Sequence, residues 1–530
     1  MSSSLSTFPD HDAEIWIVPF FGQGHLYPCM ELCKQLASRS IKSSLIISSN
    51  IASNIPSSLG QFPLVQITEI PSSPPPTLQP SSVSDPLQHH RHQHAQMAQG
   101  LQNLFSTRVP PVCAIVDVMM SWTADTFKKF GVPMIGFFTS GACSAAMEHA
   151  SWKAHPEDLK PGEIRLLPGL PEEMALTESD LKRKPHGPPG GTFGSQGGAG
   201  PFPGAGPRPG FPGPPGGGPR PGFLGPPGAP GPKMMGPPRP GQQPPWVEEV
   251  AGSIAMVLNT CDELERPFIK YLADQTGKPV WGVGPLLPEQ FYKSAGSLLH
   301  DREIRTNRWS NVTENEVIEW LDSKPRGSVL YISFGSEVGP NMEEYPQIAD
   351  ALEASNQPFI WVIQSGAGRS GPPRQLLGLS GPEGEEEGYF PHGLDSKVGK
   401  RGLIIRGWAP QLLILSHPST GGFLTHCGWN STVEALGRGV PFLAWPIRGD
   451  QFDNAKLVIN HLKVGYMVRD DQSKLTRKDD IIKGIEKLMG DEEMKKGAEI
   501  IGKKFANGFP ASSTASLDAL TDFIIRQKAV

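Results

Sequence analysis

The stretch that decides the fold is the segment 408–451, WAPQLLILSHPSTGGFLTHCGWNSTVEALGRGVPFLAWPIRGDQ. At its centre the apolar, strand-like GGFLT runs into HCGWNS, and the helix-like TVEALGR follows. The N-terminus of such a helix offers free backbone N–H groups to an anion. Trp408 adds an aromatic face for a base, and Glu434 adds an acceptor for ribose hydroxyls. The segment therefore predicts a site for a nucleotide diphosphate-sugar.

A simpler interpretation of one part of this segment is that Asn430 and Ser431 only cap the helix. The agreement of the whole segment in residue type and spacing favours phosphate binding instead. Elsewhere, continuous apolar runs such as IWIVP (15–19), VCAIVDV (112–118) and SVLYISF (328–334) predict buried strands of parallel sheets. Because both halves of the 530-residue chain repeat this plan, the sequence predicts two α/β domains.

Bulk composition excludes several classes of protein. The 48 basic and 53 acidic side chains give a net charge of −5, and no long basic run indicates nucleic acid or an anionic membrane. Six scattered cysteines without a CxxC pair are typical of a reducing compartment. The N-terminus has no signal-peptide pattern and no apolar run reaches about 18 residues, so we expect a cytoplasmic protein without a membrane span.

Segment 408–451 resembles, over its full length, the plant secondary-product glycosyltransferase box of the family 1 UDP-dependent glycosyltransferases. The likeness extends over most of the chain and implies the GT-B fold, in which two Rossmann-like domains face each other across a cleft. It implies no metal and no cofactor, with UDP-glucose as a co-substrate. We expect an acceptor-binding domain over 1–284, a linker over 285–325, a UDP-sugar domain over 326–510 and a C-terminal helix over 511–530 that packs back on the first domain.

The resemblance also implies roles for individual residues. Trp408 stacks on uracil, the Ala409 backbone pairs with the uracil edge, and Gln411 and Glu434 hold the ribose. The phosphates are held by Ser336, His426, Gly428, Asn430 and Ser431. The sugar is surrounded by Thr139, Trp429, Asp450 and Gln451, and a glutamine at the last position resembles glucose-using members. Met119 is expected to contact the acceptor.

Two residues of the first half are expected to carry the chemistry. GHLYP (24–28) resembles the family's GHxxP element, in which His25 is the general base, and Asp117 matches the aspartate that orients it. A neutral imidazole suits the removal of a hydroxyl proton near neutral pH. Taken alone, Gly22 to Gly24 would be equally typical of a tight turn, and Asp117 of a strand-end cap.

The resemblance implies an inverting transfer of glucose to a small aromatic acceptor, such as a flavonoid or another phenolic. Within the same class, C-glycosylation or the use of another UDP-sugar remains an alternative. A different class of alternative is a scaffold that recruits SH3- or WW-like domains through a proline-rich segment.

That segment is 187–246, in which 40 of 60 residues are Gly or Pro. GPRPGFPGPPG (206–216) recurs as GPRPGFLGPPG (218–228), but glycine does not fall at every third position as collagen requires. The composition predicts a disordered insertion with polyproline II character. Either the fold tolerates it as a surface loop, or it is a docking segment or a flap over the acceptor pocket.

Two further patterns carry weaker signals. Asp10 and Asp12 form a DxD pattern in the polar N-terminal tail, where a catalytic role is not expected. The run His89–His94 predicts a solvated helix face, with adventitious metal binding by His90 and His94 as the alternative.

Overall fold

The computed structural model of the protein describes residues 14–73, 88–182, 240–294, 298–300, 309–364, 366–368 and 388–527. Two separate parallel sheets dominate these residues. The first half of the chain forms the strands β1 (Glu14–Val18), β2 (Lys42–Ser48), β3 (Val65–Ile70), β4 (Cys113–Asp117), β5 (Met134–Phe138), β6 (Ile164–Arg165), β7 (Leu176–Thr177), β8 (Ala255–Leu258) and β9 (Val280–Gly282). Of these, β6 and β7 pair with each other in a small antiparallel sheet, and the other seven form the first parallel sheet. The second sheet uses β10 (Val329–Ser333), β11 (Phe359–Ile363), β12 (Gly402–Arg406), β13 (Thr420–Thr425), β14 (Phe442–Ala444) and β15 (Gly465–Met467). The predicted fold class, two parallel α/β domains, is confirmed.

Helices pack against these sheets on both faces. They are α1 (Gln23–Ala37), α2 (Gln88–Thr107), α3 (Ala124–Lys129), α4 (Ala142–Ala154), α5 (Glu178–Leu181), α6 (Pro245–Glu249), α7 (Asp262–Thr276), α8 (Glu289–Lys293), α9 (Glu314–Asp322), α10 (Glu344–Ala354), α11 (Leu394–Val398), α12 (Gln411–Ser416), α13 (Trp429–Arg438), α14 (Gln451–Lys456), α15 (Lys478–Gly490), α16 (Glu492–Lys503) and α17 (Ala511–Gln527). In β1, Ile15 and Ile17 pack with α1, whereas Trp16 and Val18 pack with α2. Both faces are apolar because both are covered, which is why the strand reads as one continuous apolar run.

The strand order opens one crevice in each sheet. The first sheet runs β3-β2-β1-β4-β5-β8-β9, and the second runs β12-β11-β10-β13-β14-β15. In each sheet the chain builds one side, then returns and builds the other, so a crevice lies beyond the C-terminal ends of β1 and β4, or of β10 and β13. Ligands of open α/β sheets bind at such positions. His25, Asp117, Ser336 and the run 426–431 all lie at or just after the ends of these four strands.

Among the strands that sequence patterns did not indicate are three at sheet edges. β3 alternates exposed and buried residues because it is the edge of the first sheet. β9 and β15, at the other edges, are only three residues long. The predicted GQGH turn is also displaced, because α1 already begins at Gln23 and Gly22 is its N-cap.

The segment 285–325, predicted as an interdomain linker, contains the helices α8 and α9. In α9, Val317 and Leu321 are fully buried in the same cluster as the first residues of β10. At the end of the chain, Leu517 and Leu520 of α17 join the cluster of β1 and α1. The last helix of the chain thus packs against the first sheet.

The Gly/Pro-rich segment 187–246 is described only from residue 240 onward. Its last residues are ordered: the Gly241 N–H donates to Ser151 Oγ at 3.3 Å, and Trp246 in α6 is 6% exposed. The Trp246 ring packs edge-on against Phe138 with centroids 5.7 Å apart. The prediction of disorder is wrong for 240–246, because a buried tryptophan supplies the apolar surface needed to order them. The remainder of the segment, like Asp10 and Asp12, lies outside the described residues.

The cysteines behave as the sequence predicted. All six are free and buried. Burial raises the pKa of Cys33 and of Cys113 to about 12, so these thiols stay protonated and act as small apolar groups. Within the described part of the chain, no helix is long and apolar enough to cross a membrane.

Candidate active site

The two residues predicted to act on the acceptor contact each other at the first crevice. His25 Nδ1 lies 2.7 Å from Asp117 Oδ2, although 92 positions separate the two residues. Asp117 is fully buried, and its other oxygen, Oδ1, accepts the Met119 backbone N–H at 2.9 Å. Asp117 is therefore both a cap and a histidine partner, with one oxygen for each task. Because Nδ1–H donates to the carboxylate, Nε2 is the ring nitrogen left to accept a proton.

The electrostatic surroundings of His25 favour its protonated form. Burial by itself lowers the pKa of the imidazole, but the charge of Asp117 and its hydrogen bond, with the charges of Asp450 and Glu337, outweigh burial. The net effect is a pKa raised above 6.5. Because Asp450 follows β14 of the second sheet, charged groups from both domains influence the pKa of the same ring.

A hydroxyl and an aromatic ring also contact the imidazole of His25. Thr139, predicted to touch the sugar, places Oγ1 2.8 Å from His25 Nδ1, so it shares the Nδ1–H with Asp117. The Phe20 ring lies edge-on to the imidazole with centroids 5.1 Å apart. Met119, predicted to contact the acceptor, is 50% exposed. A proton-accepting nitrogen near the half-buried Phe20 and the exposed Met119 suits an apolar molecule that carries a hydroxyl.

The residues predicted to hold the ribose form one connected group. Gln411 Nε2 donates to Glu434 Oε2 at 2.7 Å and to Ser431 Oγ at 3.0 Å. Tyr331 OH donates to Gln411 Oε1 at 3.1 Å. These bonds fix the amide of Gln411 and the buried carboxylate of Glu434 side by side, so both can face one pair of hydroxyls.

His426 lies in a space that two glycines leave open. A Cβ on Gly335 would come within 2.9 Å of the His426 ring, and a Cβ on Gly428 within 2.4 Å. Gly335, at φ +74°, precedes the exposed Ser336 in the loop after β10. Burial, together with the charge of Arg448, lowers the pKa of His426 to about 4. His426 is thus neutral at pH 7 and can offer an anion one N–H, but no positive charge.

The N-cap of α13 is Gly428, and it makes no side-chain cap bond. Asn430 and Ser431 lie inside the first turn, so their interpretation as helix caps is wrong. The first turn therefore keeps its backbone N–H groups directed towards the crevice beside β10.

The end of the site that is predicted to bind the base includes a residue that the sequence did not indicate. Trp408 is half-buried, and its backbone N–H donates to the Trp309 carbonyl at 2.9 Å, while Ala409 is buried. Gly407 has φ +82°, and a Cβ there would lie 2.7 Å from the Trp309 ring. Trp309 is exposed in a stretch without periodicity, so no local pattern could have assigned it to this site.

Asp450 and Gln451 begin the turn into α14. Gln451 Oε1 accepts the backbone N–H groups of Ile447 and Arg448, both at 2.9 Å, which leaves its NH₂ group as a donor. Asp450 Oδ2 accepts from Asn454 Nδ2 at 3.0 Å. Burial raises the pKa of Asp450, and the Asn454 bond opposes this.

Direct bonds join the two halves of the site. Trp429 Nε1 donates to the Asn259 carbonyl at 2.7 Å, so the indole predicted to lie near the sugar binds the other domain. Asn430 Nδ2 donates to the Gly24 carbonyl at 3.0 Å, immediately before His25. The helix predicted to hold the diphosphate is thus bonded to the residue next to His25, the predicted general base.

One more titratable group lies near this junction. Burial, with the charge of Asp117, raises the pKa of Glu249 to about 7. Glu249 is the last residue of α6, which begins within the Gly/Pro-rich segment, and no sequence pattern indicated it.

The histidine run differs at His94 from the predicted solvated face. His94 is buried and stacks on Trp122, with centroids 4.3 Å apart and ring planes 14° apart. A solvated face is therefore wrong for His94, because α2 turns this ring towards the core beside Trp122.

Comparisons with known proteins agree with this architecture. The family model described as UDP-glucoronosyl and UDP-glucosyl transferase matches residues 308–503. A scopoletin glucosyltransferase of Nicotiana tabacum is 28% identical over 505 residues, which cover 90% of this chain and 89% of the relative.

Solved structures share the fold. That of UGT73P12 from Glycyrrhiza uralensis, complexed with glycyrrhetinic acid 3-O-monoglucuronide, superposes with a TM-score of 0.68 at 23% identity, covering 98% of this chain and 96% of that one. A UDP-glucosyltransferase from Polygonum tinctorium capable of glucosylating indoxyl gives a TM-score of 0.65 at 22% identity, covering 98% and 100%. The class of protein is thus a glycosyltransferase with the GT-B fold. Residues 308–503 match the UDP-glycosyltransferase family model, and the chain is similar over most of its length to a plant glucosyltransferase.

Proposed function

We propose that this enzyme transfers glucose from UDP-glucose to a hydroxyl group of a small aromatic acceptor, with inversion at the anomeric carbon. The observation that carries the proposal is the 2.7 Å contact between His25 and the buried Asp117. His25 lies on α1, which is bonded to α13, the helix proposed to bind the donor. A base of this kind is needed only if a weakly acidic hydroxyl must lose its proton.

The reaction follows from the roles of the two ring nitrogens. His25 Nε2 takes the acceptor proton while the acceptor oxygen forms a bond to the anomeric carbon. The bond from that carbon to the diphosphate oxygen breaks on the opposite face, and its electron pair leaves with UDP. Asp117 stabilises the imidazolium through Nδ1 during this step.

The leaving diphosphate would meet donors from the second domain. The N–H groups of the first turn of α13 and the Ser431 hydroxyl lie at one crevice, with the neutral His426 beside them. Donors held in place before the reaction stabilise the developing charge without reorganisation. Asp450 and Gln451 supply an acceptor and a donor for sugar hydroxyls, which supports glucose as the transferred group.

The acceptor class rests on the surface beside His25 and on the relatives. Phe20 and Met119 offer apolar contacts next to the base. The names of two relatives specify scopoletin and indoxyl as compounds they glucosylate, and both are small aromatic molecules. A phenolic acceptor, a flavonoid among them, fits this surface.

The test combines turnover with stereochemistry. Purified enzyme is given UDP-glucose and a panel of phenols, and UDP release and the anomeric configuration of the product are measured. We expect β-linked glucosides, since the donor is the α-anomer. His25→Ala should lower kcat by about 10³-fold or more while UDP affinity stays unchanged. The control is His300→Ala, which changes an exposed histidine that contacts Glu314 at the start of α9. An α-linked product, or full activity of His25→Ala, would overturn the proposal.

A further inference from the structure

The helix that carries His25 contains a proline where it removes one specific hydrogen bond. In α1, Pro28 is the sixth residue, so it lies in the second turn and not in the first turn, where a proline costs little. Residue 28 would normally donate its N–H to the carbonyl of Gly24. Proline has no N–H, and its ring pushes the carbonyl four residues earlier away from the helix axis. The Gly24 carbonyl therefore needs a donor from elsewhere.

That donor comes from the other domain. Asn430 Nδ2, in the first turn of α13, donates to the Gly24 carbonyl at 3.0 Å. A Cβ on Gly24 would lie at an ordinary contact distance of 3.5 Å from Asn430 Nδ2, so the two helices are in direct contact here. The neighbouring residue, Trp429, donates to the Asn259 carbonyl, and Asn259 Nδ2 donates to the Thr139 carbonyl at 3.0 Å. Adjacent residues of α13 are thus linked to Gly24 directly and to Thr139 through Asn259.

We infer that Pro28 and Asn430 form a positioning pair, through which the helix that binds the donor diphosphate sets the place of His25. An asparagine side chain has two amide N–H groups. One meets the carbonyl that Pro28 leaves exposed, and the other is available to the diphosphate. This inference rests on the proposed function, because it assumes that UDP-glucose binds at α13. Pro28 touches neither substrate and acts only through the Gly24 carbonyl.

The proposed pairing predicts that a substitution of Pro28 changes stability and catalytic rate in opposite directions. With alanine at position 28, the backbone N–H returns and the Gly24 carbonyl realigns with the helix axis, away from Asn430. The helix itself should gain stability, because an interior proline is the least favourable residue in a helix. Catalysis should nevertheless fall, since His25 loses its link to α13. Opposite changes in stability and rate are not expected of a purely structural residue.

The experiment is a double-mutant cycle on the full-length enzyme with UDP-glucose and a weakly acidic phenol. Pro28→Ala, Asn430→Ala and the double variant are compared for kcat, acceptor KM, UDP affinity and thermal midpoint. We expect Pro28→Ala to lower kcat by about three- to tenfold, as one hydrogen bond allows, with UDP affinity within about twofold. In the Asn430→Ala background, Pro28→Ala should change kcat by less than about twofold.

Pro267→Ala is the control for replacing a proline within a helix, because Pro267 lies in α7 two residues after a kink at Glu265, whose φ is −137°. The carbonyl four residues earlier, that of Glu263, lies before this kink and accepts a bond from the second half of the chain, from Lys504 Nζ at 3.1 Å. This contact is on an exposed surface, so Pro267→Ala should leave kcat within about twofold and should add independently to Asn430→Ala.

The outcomes separate the inference from the proposed function. If the wild-type enzyme transfers glucose and the effects of Pro28→Ala and Asn430→Ala simply multiply, the positioning role is overturned while the function stands. A fall in the thermal midpoint that accounts for the whole loss of activity in Pro28→Ala would also overturn it. A wild-type enzyme that transfers no glucose would overturn both.

Discussion

Replacing Asp117 by asparagine should disable His25 through its tautomer. The Met119 backbone N–H points at Oδ1 of residue 117 from 2.9 Å, so it selects the carbonyl oxygen of an asparagine for that position. The NH₂ group must then occupy the place of Oδ2, 2.7 Å from His25 Nδ1. A donor facing Nδ1 forces the proton onto Nε2. A protonated Nε2 cannot take the proton from the hydroxyl group of the acceptor molecule.

The size of the expected loss in kcat follows from this geometry. Because the carboxylate is fully buried, no water can take over its task at Nδ1. A wrong tautomer in a comparable histidine–aspartate pair lowers kcat by about 10⁴-fold. We expect a loss of about 10³- to 10⁴-fold for a weakly acidic alcohol, or roughly 4–5 kcal/mol in barrier height. Phenols that are already ionised should lose much less, since they need no base.

The pH dependence gives a second measurement with a definite sign. A general base works only when deprotonated, so the rate falls as pH falls through its pKa. In the wild type the raised pKa of His25 places this acid limb above pH 6.5. In Asp117→Asn the burial of His25 remains while the largest raising influence, the charge of Asp117, is gone, so the acid limb of the residual activity should move to lower pH.

The assay is the kcat/KM of UDP release from pH 5 to 9, with UDP affinity measured in parallel. The matched control is Asp322→Asn, because Asp322 Oδ1 also contacts a buried histidine, His417, at 3.1 Å. The control should keep the wild-type rate and profile. Retention of more than about a tenth of the rate by Asp117→Asn on a weakly acidic alcohol, or an unmoved acid limb, would refute the reasoning.

Four further predictions concern the donor, metals, the insertion and the tryptophan that follows it. A higher kcat/KM for UDP-glucose than for UDP-galactose is expected, because Asp450 and Gln451 would be left unpaired by the other 4-hydroxyl; equal values would contradict it. Activity should survive EDTA, since α13 meets the phosphate charge; loss that added Mg²⁺ restores would show otherwise. Deleting 183–239 should shift the thermal midpoint by less than about 2 °C, as loop closure depends weakly on length. By contrast, Trp246→Ala should lower the free energy of unfolding by about 3–5 kcal/mol in chemical denaturation. A stable Trp246→Ala variant would mean that α6 is dispensable.

Contiguous patterns were sufficient wherever structure depends on near neighbours. The strand, turn and helix of 408–451 are adjacent in sequence, so residue type and spacing predicted β13, α13 and the groups around them. Buried strands such as β4 and β10 could be predicted because both of their faces are covered, which makes their sequences continuous apolar runs. Edge strands such as β3 did not, because their apolar residues alternate with exposed ones.

Contacts between distant parts of the chain were decided only by the tertiary structure. His25 and Asp117 were expected to meet, but the division of Asp117 between His25 and the Met119 N–H depends on how the 3₁₀ turn after β4 closes. The bond from Asn430 to Gly24 joins residues 406 positions apart. No periodicity encodes such a pair, because its geometry depends on the packing of two whole domains. The sequence determined the chemical groups of each half-site, and the packing of the domains decided which atoms face each other.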